Sequence, residues 1–219
     1  MIILDIETSG LDFMKNGICS IGALCFDNVN EKFYEECKID DEDDISKGAM
    51  KINRFTEEDF RDKTKQTQEE LIEKFFDWLE KQEDKMLAGH NIGFFDLNFL
   101  KKKAEKYGIQ IKSRYRSLDL CSVAQFRYFQ VYSKFLLDDY KENSMNLSEI
   151  LKFCGMKDER IKLDKDDIIK EGKPHNALED AELEAECFFR LMNGKPLFEE
   201  YAKFSVPEYL KKGGGNDNL

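Results

Sequence analysis

Two acidic side chains interrupt an apolar run at the beginning of the chain. Residues 2–11 read I-I-L-D-I-E-T-S-G-L, so one residue separates Asp5 from Glu7 within a β-branched stretch. Such a stretch is typical of a strand that is covered on both faces inside a sheet. Because side chains alternate along a strand, Asp5 and Glu7 point to the same face, with Ile3 behind them. We therefore expect two neighbouring carboxylates at the end of a buried strand.

Carboxylates in that position repel each other and are costly to remove from water. They are stable there when they share a proton or bind a cation, and a divalent ion that prefers oxygen ligands suits them. The pair therefore indicates a metal site at the end of the first strand. These two residues alone leave a second interpretation open, an edge strand that carries two solvated acids.

Three further residues that can do chemistry lie beside predicted helix starts. Asp96 follows a short strand and opens a helix, and for an isolated aspartate the simplest role there is an N-cap. Asp180 falls in the first two turns of a later helix that Asn176 caps, and His175 follows Pro174 just before it. Five residues along one helix would turn these side chains about 140° apart. His175 and Asp180 can therefore meet only if His175 lies on the chain that enters the helix.

The periodicity around these residues predicts an α/β arrangement. Strands are expected over residues 17–26, 31–39, 86–88 and 115–118 after the first one, and the earliest three form an antiparallel meander. Helices are expected to start at Thr56 and Thr67, and over residues 97–107, 120–132, 147–154 and 176–192. The acidic run 40–44 is expected to be a solvated loop. The charged segment 156–173 is expected to be a mobile surface connection or, alternatively, a flap on the substrate side.

Composition limits the class of protein. The chain has 219 residues, of which 41 % are hydrophobic and 36 % charged, so we expect one globular domain over residues 1–194. Residues 195–219 are expected to form a C-terminal extension with a partly flexible tail. The first strand leaves no room for a signal peptide, and no apolar run could span a bilayer, which predicts a cytoplasmic protein without membrane contact. The six cysteines show no C-x-x-C pair and are expected to be reduced.

The net charge of −11 excludes one kind of nucleic-acid binding. A protein that wraps long duplex neutralises many phosphates with lysine and arginine, and this chain is too acidic for that. The charge is compatible with an enzyme that grips a few nucleotides through metal ions. An enzyme of this charge that acts on nucleic acid would be distributive, and its binding to short or single-stranded ends would weaken as salt rises.

Three motifs together resemble a known family. Residues 5–11 read D-I-E-T-S-G-L, residues 90–97 read H-N-I-G-F-F-D-L and residues 175–181 read H-N-A-L-E-D-A. In this order and spacing they resemble the DEDDh 3′→5′ exonucleases, the DnaQ-like group of the ribonuclease-H-like superfamily. The resemblance covers residues 1–192 and implies a ribonuclease-H-like mixed central sheet flanked by helices. The charged segment before His175 is the one departure from the family pattern.

The resemblance implies a two-metal-ion hydrolysis of phosphodiester bonds that releases nucleoside 5′-monophosphates. Asp5 would bridge both ions, Glu7 and Asp180 would bind the ion that carries the attacking water, and Asp96 would hold the second ion. His175 would be the general base. Mg²⁺ is the expected ion and Mn²⁺ a substitute.

The resemblance also implies contacts with the substrate. Backbone N–H groups around Thr8 would grip the terminal nucleotide, and Leu11 would wedge against its base. Asn91 would either bind substrate or hold its own turn, and His90 would shape the loop. The expected partner is a single-stranded DNA or RNA 3′ end, with DNA favoured by analogy. Two other roles stay open, a catalytically silent nucleic-acid-binding or protein-interaction module and a proofreading subunit with a polymerase partner.

Overall fold

The computed structural model describes residues 1–111, 116–163 and 169–211, and one mixed sheet lies at its centre. The strands are β1 (Ile2–Thr8), β2 (Ile18–Cys25), β3 (Asn28–Glu36), β4 (Leu87–Gly89) and β5 (Leu118–Asp119), in the order β3-β2-β1-β4-β5. β1 pairs antiparallel with β2 and parallel with β4. The apolar run at the chain start is thus the central strand, as predicted. The α/β class with a mixed sheet flanked by helices is confirmed.

Eight α-helices and one 3-10 helix (Glu199–Lys203) lie in the described residues, and most of the α-helices begin where the sequence has a capping residue. They are α1 (Lys47–Asn53), α2 (Glu57–Phe60), α3 (Gln68–Glu80), α4 (Asp96–Tyr107), α5 (Leu120–Tyr132), α6 (Leu147–Phe153), α7 (Ala177–Asn193) and α8 (Glu208–Lys211). Thr56 and Thr67 form the predicted capping boxes, and Asn146 and Asn176 cap α6 and α7. The sequence analysis missed α1, which Ser46 caps, and the short strands β6 (Lys162–Leu163) and β7 (Ile169–Lys170).

The two faces of the sheet are covered by different helices. Ile2, Leu4 and Ile6 pack with apolar residues of α3 and α4. Ile3 packs on the opposite face with residues of α5, α6 and α7. Asp5 and Glu7 share the face of Ile3, as the strand alternation predicts, so both acids point towards α7.

The chain after α7 returns to pack against it. Val206 and Leu210 are 6 % and 2 % exposed within the same cluster as Ile3. Glu186 of α7 accepts the backbone N–H groups of Leu197 and Phe198 at 2.8 and 2.9 Å, which fixes the chain just beyond the helix. The C-terminal extension is therefore ordered as far as residue 211. The predicted flexible tail, residues 212–219, lies outside the described residues.

Other sequence expectations have simple outcomes. All six cysteines are free, as predicted, and four of them are buried. The predicted fifth strand begins at Leu118, and residues 112–115 lie outside the described part of the chain. Across the residues that the structure describes, no helix combines the length and apolar character needed to cross a bilayer.

Gly22 sets how closely α7 approaches the sheet. It pairs with Asp5 across β1 and β2, and a Cβ atom there would lie 2.2 Å from the carbonyl carbon of Ala177. Gly22→Ala must therefore push the start of α7 away from the sheet, and we expect the free energy of unfolding to fall by at least about 2 kcal/mol. Urea denaturation measures this. Gly93→Ala is the matched control, because the nearest atom to its Cβ is Ser117 Oγ at 3.8 Å; an equal loss in both variants would contradict the prediction.

The acidic loop 40–44 is held by a buried ion pair rather than fully solvated. Lys103 of α4 donates to Asp43, and the two side chains are only 5 % and 6 % exposed. Gln68 Nε2 also donates to Asp43, at 2.7 Å, while its Oε1 accepts Ile18 N–H at 2.7 Å. The loop is thereby tied to α3, α4 and β2. The expectation of a solvated loop is wrong for Asp43, because a carboxylate with two buried donors does not need water.

Removing the cation of that pair should be costly. Lys103→Met leaves the Asp43 carboxylate buried without its positive partner, and we expect a loss of about 3 kcal/mol in the free energy of unfolding. Chemical denaturation at pH 7 measures it. The control is Lys102→Met, whose side chain is 39 % exposed and pairs only at the surface with Glu105; its expected change is within about 0.5 kcal/mol. Equal effects of the two substitutions would show that the buried pair stabilises the fold no more than a surface pair does.

Candidate active site

The end of β1 forms the floor of a cleft with a volume of about 770 Å³. Asp5 and Glu7 are half-buried and line it, as predicted for acids on one face of the strand. The strand ends at Thr8. The register of its pairing with β2 shifts there, since Glu7 pairs with Ser20 but Thr8 pairs with Ile18. Both carboxylates consequently open into the cleft at the carboxyl end of the central strand.

Asp96 reaches the same place from the other face of the sheet. It is the first residue of α4 and is 2 % exposed. Its Oδ1 accepts the backbone N–H of Ile6, between Asp5 and Glu7, at 3.1 Å. The N-cap position of α4 is Phe95, so the interpretation of Asp96 as a plain N-cap is wrong. The carboxylate ties α4 to the central strand instead.

His175 and Asp180 meet as the sequence analysis required. His175 lies on the chain entering α7, and its Nδ1 is 3.2 Å from Asp180 Oδ2. The other ring nitrogen, Nε2, is 3.0 Å from the carbonyl oxygen of Ile161. Because a carbonyl oxygen can only accept, Nε2 carries a hydrogen, and Nδ1 is the nitrogen that faces the acids. One donor atom each from Glu7, His175 and Asp180 lies within 4.8 Å of the others.

Crowding of carboxylates in a buried site perturbs their pKa values. Desolvation is the main cause of a strongly raised pKa for Asp5, followed by the charges of Glu184 and Glu7. Desolvation and the charge of Asp180 raise the pKa of Glu7 to about 8. Burial likewise raises the pKa of Asp96 to about 8, although hydrogen bonds from backbone N–H groups oppose it. Without a cation, this site holds its acids at a considerable electrostatic cost.

The His175 ring responds to the same charges in the opposite sense. Burial alone would lower its pKa, but the hydrogen bond with Asp180 and the negative charges of Asp180 and Glu7 outweigh burial and raise it. The histidine is thus held in place by an acid on one side and by the Ile161 carbonyl on the other.

Two residues of the site were missed by the sequence analysis. Glu184 lies one helical turn beyond Asp180, is 1 % exposed, and its Oε2 accepts the backbone N–H of His90 at 3.1 Å. Its i+4 spacing from Asp180 was the available signal, because both side chains share one face of α7. Arg160 Nη1 donates to Asp180 Oδ2 at 3.1 Å. Within the charged segment, no periodicity distinguished Arg160 from its neighbours.

Of the three residues expected to contact substrate, two line the cleft. Leu11 is 85 % exposed and lines the cleft. Thr8 also lines it, but its hydroxyl donates to the carbonyl oxygen of Gly10 at 2.6 Å and so holds the turn. Asn91 has a left-handed φ of 57°, and its carbonyl oxygen accepts N–H groups of the following turn. This conformation favours the turn-holding role that the sequence left open.

The donor set fits a hard divalent cation. The site offers carboxylate oxygens from β1, α4 and α7, and such oxygens are the ligands that Mg²⁺ and Mn²⁺ prefer. Burial, together with neighbouring carboxyl groups, raises the pKa values of Asp5, Glu7 and Asp96, which disfavours their charged forms. A bound cation would favour these charged forms.

The comparison with known families matches this arrangement. A family model described as an exonuclease model of the RNase T type covers residues 2–188. The chain belongs to this exonuclease family. The match includes all three motifs and every element that carries an acid of the site. The DnaQ-like assignment made from the motifs is therefore confirmed.

Sequence and structure relatives of the exonuclease domain are considerably longer proteins. DNA polymerase III PolC-type from Caldanaerobacter subterraneus subsp. tengcongensis is 27 % identical over 191 residues, which are 87 % of this chain and 11 % of that protein. E. coli Exonuclease I in complex with a dT13 oligonucleotide superposes with a TM-score of 0.62 at 17 % identity, covering 86 % of this chain and 40 % of that one. Its zinc-bound complex with single-stranded DNA gives 0.61 at 17 % identity, covering 84 % and 38 %. The chain thus spans less than half of each relative.

Proposed function

We propose that this exonuclease domain is a metal-dependent 3′→5′ exonuclease that hydrolyses single-stranded ends and releases nucleoside 5′-monophosphates. The observation that carries the proposal is the convergence of three acids and one histidine on one cleft, with a fourth acid hydrogen-bonded to the strand between the first two. The acids are Asp5, Glu7, Asp96 and Asp180, and the histidine is His175. A silent member of the fold would have no need to keep so costly a cluster of buried carboxylates.

Divalent ions, with two Mg²⁺ expected and Mn²⁺ as a substitute, would be held by these four acids. Bound there, they would neutralise the attacked phosphate and make water a stronger nucleophile. Asp96 is fixed by the Ile6 N–H, so its orientation does not depend on the ion. Glu184, fixed by the His90 N–H, adds a fifth negative charge at the back of the site.

His175 is proposed as the general base. Its Nε2–H is committed to the Ile161 carbonyl, which leaves Nδ1 to accept a proton from water on the side of the acids. In the protonated ring Nδ1–H donates to Asp180 Oδ2 and orients the imidazole, and Nδ1 can act as the base only after it has lost that proton. The charged segment therefore contributes to the site through the backbone of Ile161.

Single-stranded DNA is the favoured substrate. E. coli Exonuclease I, whose fold this chain shares, is crystallised with dT13, and the exposed Leu11 at the cleft offers an apolar surface to a terminal base. A second candidate function is proofreading within or beside a polymerase. It is favoured by the similarity to a PolC-type polymerase, of which this chain matches only a small part. A cytoplasmic location is consistent with either role.

Nucleotide release from end-labelled oligonucleotides tests the proposal. Matched 3′-labelled and 5′-labelled single strands of DNA and RNA are incubated with Mg²⁺ or with EDTA. We expect mononucleotide release from the 3′ end with Mg²⁺ only, faster on DNA than on RNA. A faster reaction on mismatched primer ends than on free single strands would favour proofreading. Absence of cleavage in every lane would overturn the exonuclease proposal.

A further inference from the structure

Arg160 brings a fixed positive charge to the acids of the cleft from outside the three motifs. It lies in the segment 156–173, the one departure from the family pattern, and its side chain is 11 % exposed. Asp180 Oδ2 accepts from its Nη1 at 3.1 Å. The prediction of a mobile surface connection is therefore wrong for this part of the segment, which forms a wall of the cleft.

The guanidinium group is held by a second acid that has no part in the proposed metal site. Arg160 Nε and Nη2 pair with Asp158 Oδ1 and Oδ2, each at 3.1 Å, and the Asp158 side chain is 4 % exposed. Ser148 Oγ donates to Asp158 at 2.5 Å. This bidentate pair fixes the plane of the guanidinium and leaves Nη1 directed at Asp180.

The backbone on either side of Arg160 is held by hydrogen bonds as well. Ile161 N–H donates to the Lys173 carbonyl at 2.8 Å, and Lys173 N–H donates to the Glu159 carbonyl at 2.9 Å. The Ile161 carbonyl accepts from His175 Nε2. The neighbours of Arg160 in the chain, Glu159 and Ile161, are therefore both hydrogen-bonded to Lys173. Ile161 also contacts His175, the proposed general base.

A role as simple counter-ion to Asp180 explains only part of this arrangement. An arginine needed merely to neutralise Asp180 would not require its Nε and Nη2 to be fixed by a second buried acid, which also pairs with Lys162 Nζ at 3.2 Å. The proposed cations would take over the neutralisation of Asp180 when they bind. The Nη1 group, which does not pair with Asp158, would then face the cleft and could donate to a phosphate oxygen.

We propose that Arg160 binds the phosphate of the terminal nucleotide and that Asp158 is the positioning residue that orients its guanidinium. The inference rests on the proposed exonuclease function, because it assigns the charge to the substrate of that same site. It gives the charged segment a role that the three motifs do not supply, a cationic contact in an otherwise acidic cleft. A competing role is an inhibitory lock, in which Arg160 excludes cations from Asp180.

Binding of a nucleoside 5′-monophosphate separates these roles without requiring turnover. Thymidine 5′-monophosphate is titrated calorimetrically into the full chain with Mg²⁺, for the wild type, Arg160→Gln, Arg160→Lys and Asp158→Asn. We expect Arg160→Gln to weaken binding at least about tenfold, and Arg160→Lys to weaken it less, because lysine keeps the positive charge but lacks the bidentate pair that fixes its position. Asp158→Asn should fall between the wild type and Arg160→Gln. Lys157→Gln is the matched control, an exposed cation of the same segment, with an expected change below twofold.

Kinetics on oligo(dT) complete the test. Arg160→Gln should lower kcat/KM about 100-fold with a thermal midpoint close to that of the wild type, and Arg160→Lys should recover part of the loss. Unchanged nucleotide binding in Arg160→Gln would overturn the inference, as would higher activity together with tighter Mg²⁺ binding, which is the signature of a lock. If Arg160→Gln does not fold, unchanged binding in Arg160→Lys and Asp158→Asn would overturn it equally. An inactive wild type would refute the exonuclease proposal. The calorimetric titration of thymidine 5′-monophosphate would still test the role of Arg160.

Discussion

Asp5→Asn is expected to abolish metal-dependent nucleotide release while making the metal-free protein more stable. Asp5 lies on the central strand with its carboxylate among Glu7 and Glu184, and its pKa is strongly raised by desolvation and by those charges. An amide keeps the shape of the side chain but cannot supply a negatively charged ligand. We expect kcat to fall by at least about 10³, which corresponds to about 4 kcal/mol of transition-state stabilisation.

Opposite changes in activity and stability are the diagnostic result. Removing one of several mutually repelling acids should raise the thermal midpoint in EDTA, whereas damage to the fold would lower it. Asp77→Asn serves as the control, because Asp77 is exposed on α3 and belongs to the solvated face of that helix. The prediction fails if Asp5→Asn keeps more than a tenth of the wild-type activity, or if its metal-free stability drops.

The stability of the metal-free protein is expected to fall as pH rises from 5 to 8. Burial and neighbouring acids raise the pKa of Glu7 and of Asp96 to about 8 in the folded state, whereas both titrate near 4 when unfolded. The folded state then binds more protons than the unfolded state over this interval. The contribution of these two groups to the free energy of unfolding is therefore fully present below about pH 4 and is lost as pH rises through about 8. His175, whose pKa is also raised, contributes in the same direction.

The expected decrease amounts to several kcal/mol, or a fall of roughly 10 °C or more in the Tm. Calorimetry at pH 5, 6, 7 and 8 in EDTA measures it, and the same series with saturating Mg²⁺ should be nearly flat, because the cation takes the place of the protons. Asp96→Asn, which removes one of the two groups, should reduce the pH slope in EDTA. A Tm that is constant or rises over this interval without metal would show that the acids are solvated and not crowded.

Local rules place each residue that is predicted to do chemistry on its own strand or helix. Alternation along β1 puts Asp5 and Glu7 on one face, and the capping residue Asn176 fixes where α7 begins and hence where His175 must lie. A helix start can be predicted correctly while the simplest role for its residue, an N-cap, is wrong, as Asp96 shows. Its position at the start of α4 was correct, but its hydrogen bond goes to Ile6, 90 residues earlier in the chain.

The sequence by itself determined the family, the mixed sheet with β1 at its centre, and the four acids and one histidine proposed for catalysis. Strand period and helix capping act within a few residues, and the order of the motifs can be read along the chain, so all three are visible without coordinates. Only the tertiary structure decided which charges are buried together. Lys103 meets Asp43 across 60 residues, Arg160 meets Asp180 across 20, and Glu184 reaches the His90 backbone across 94. Such pairings depend on how helices pack on the sheet. The local sequence around a lysine or glutamate that becomes buried does not differ from that around one that stays exposed.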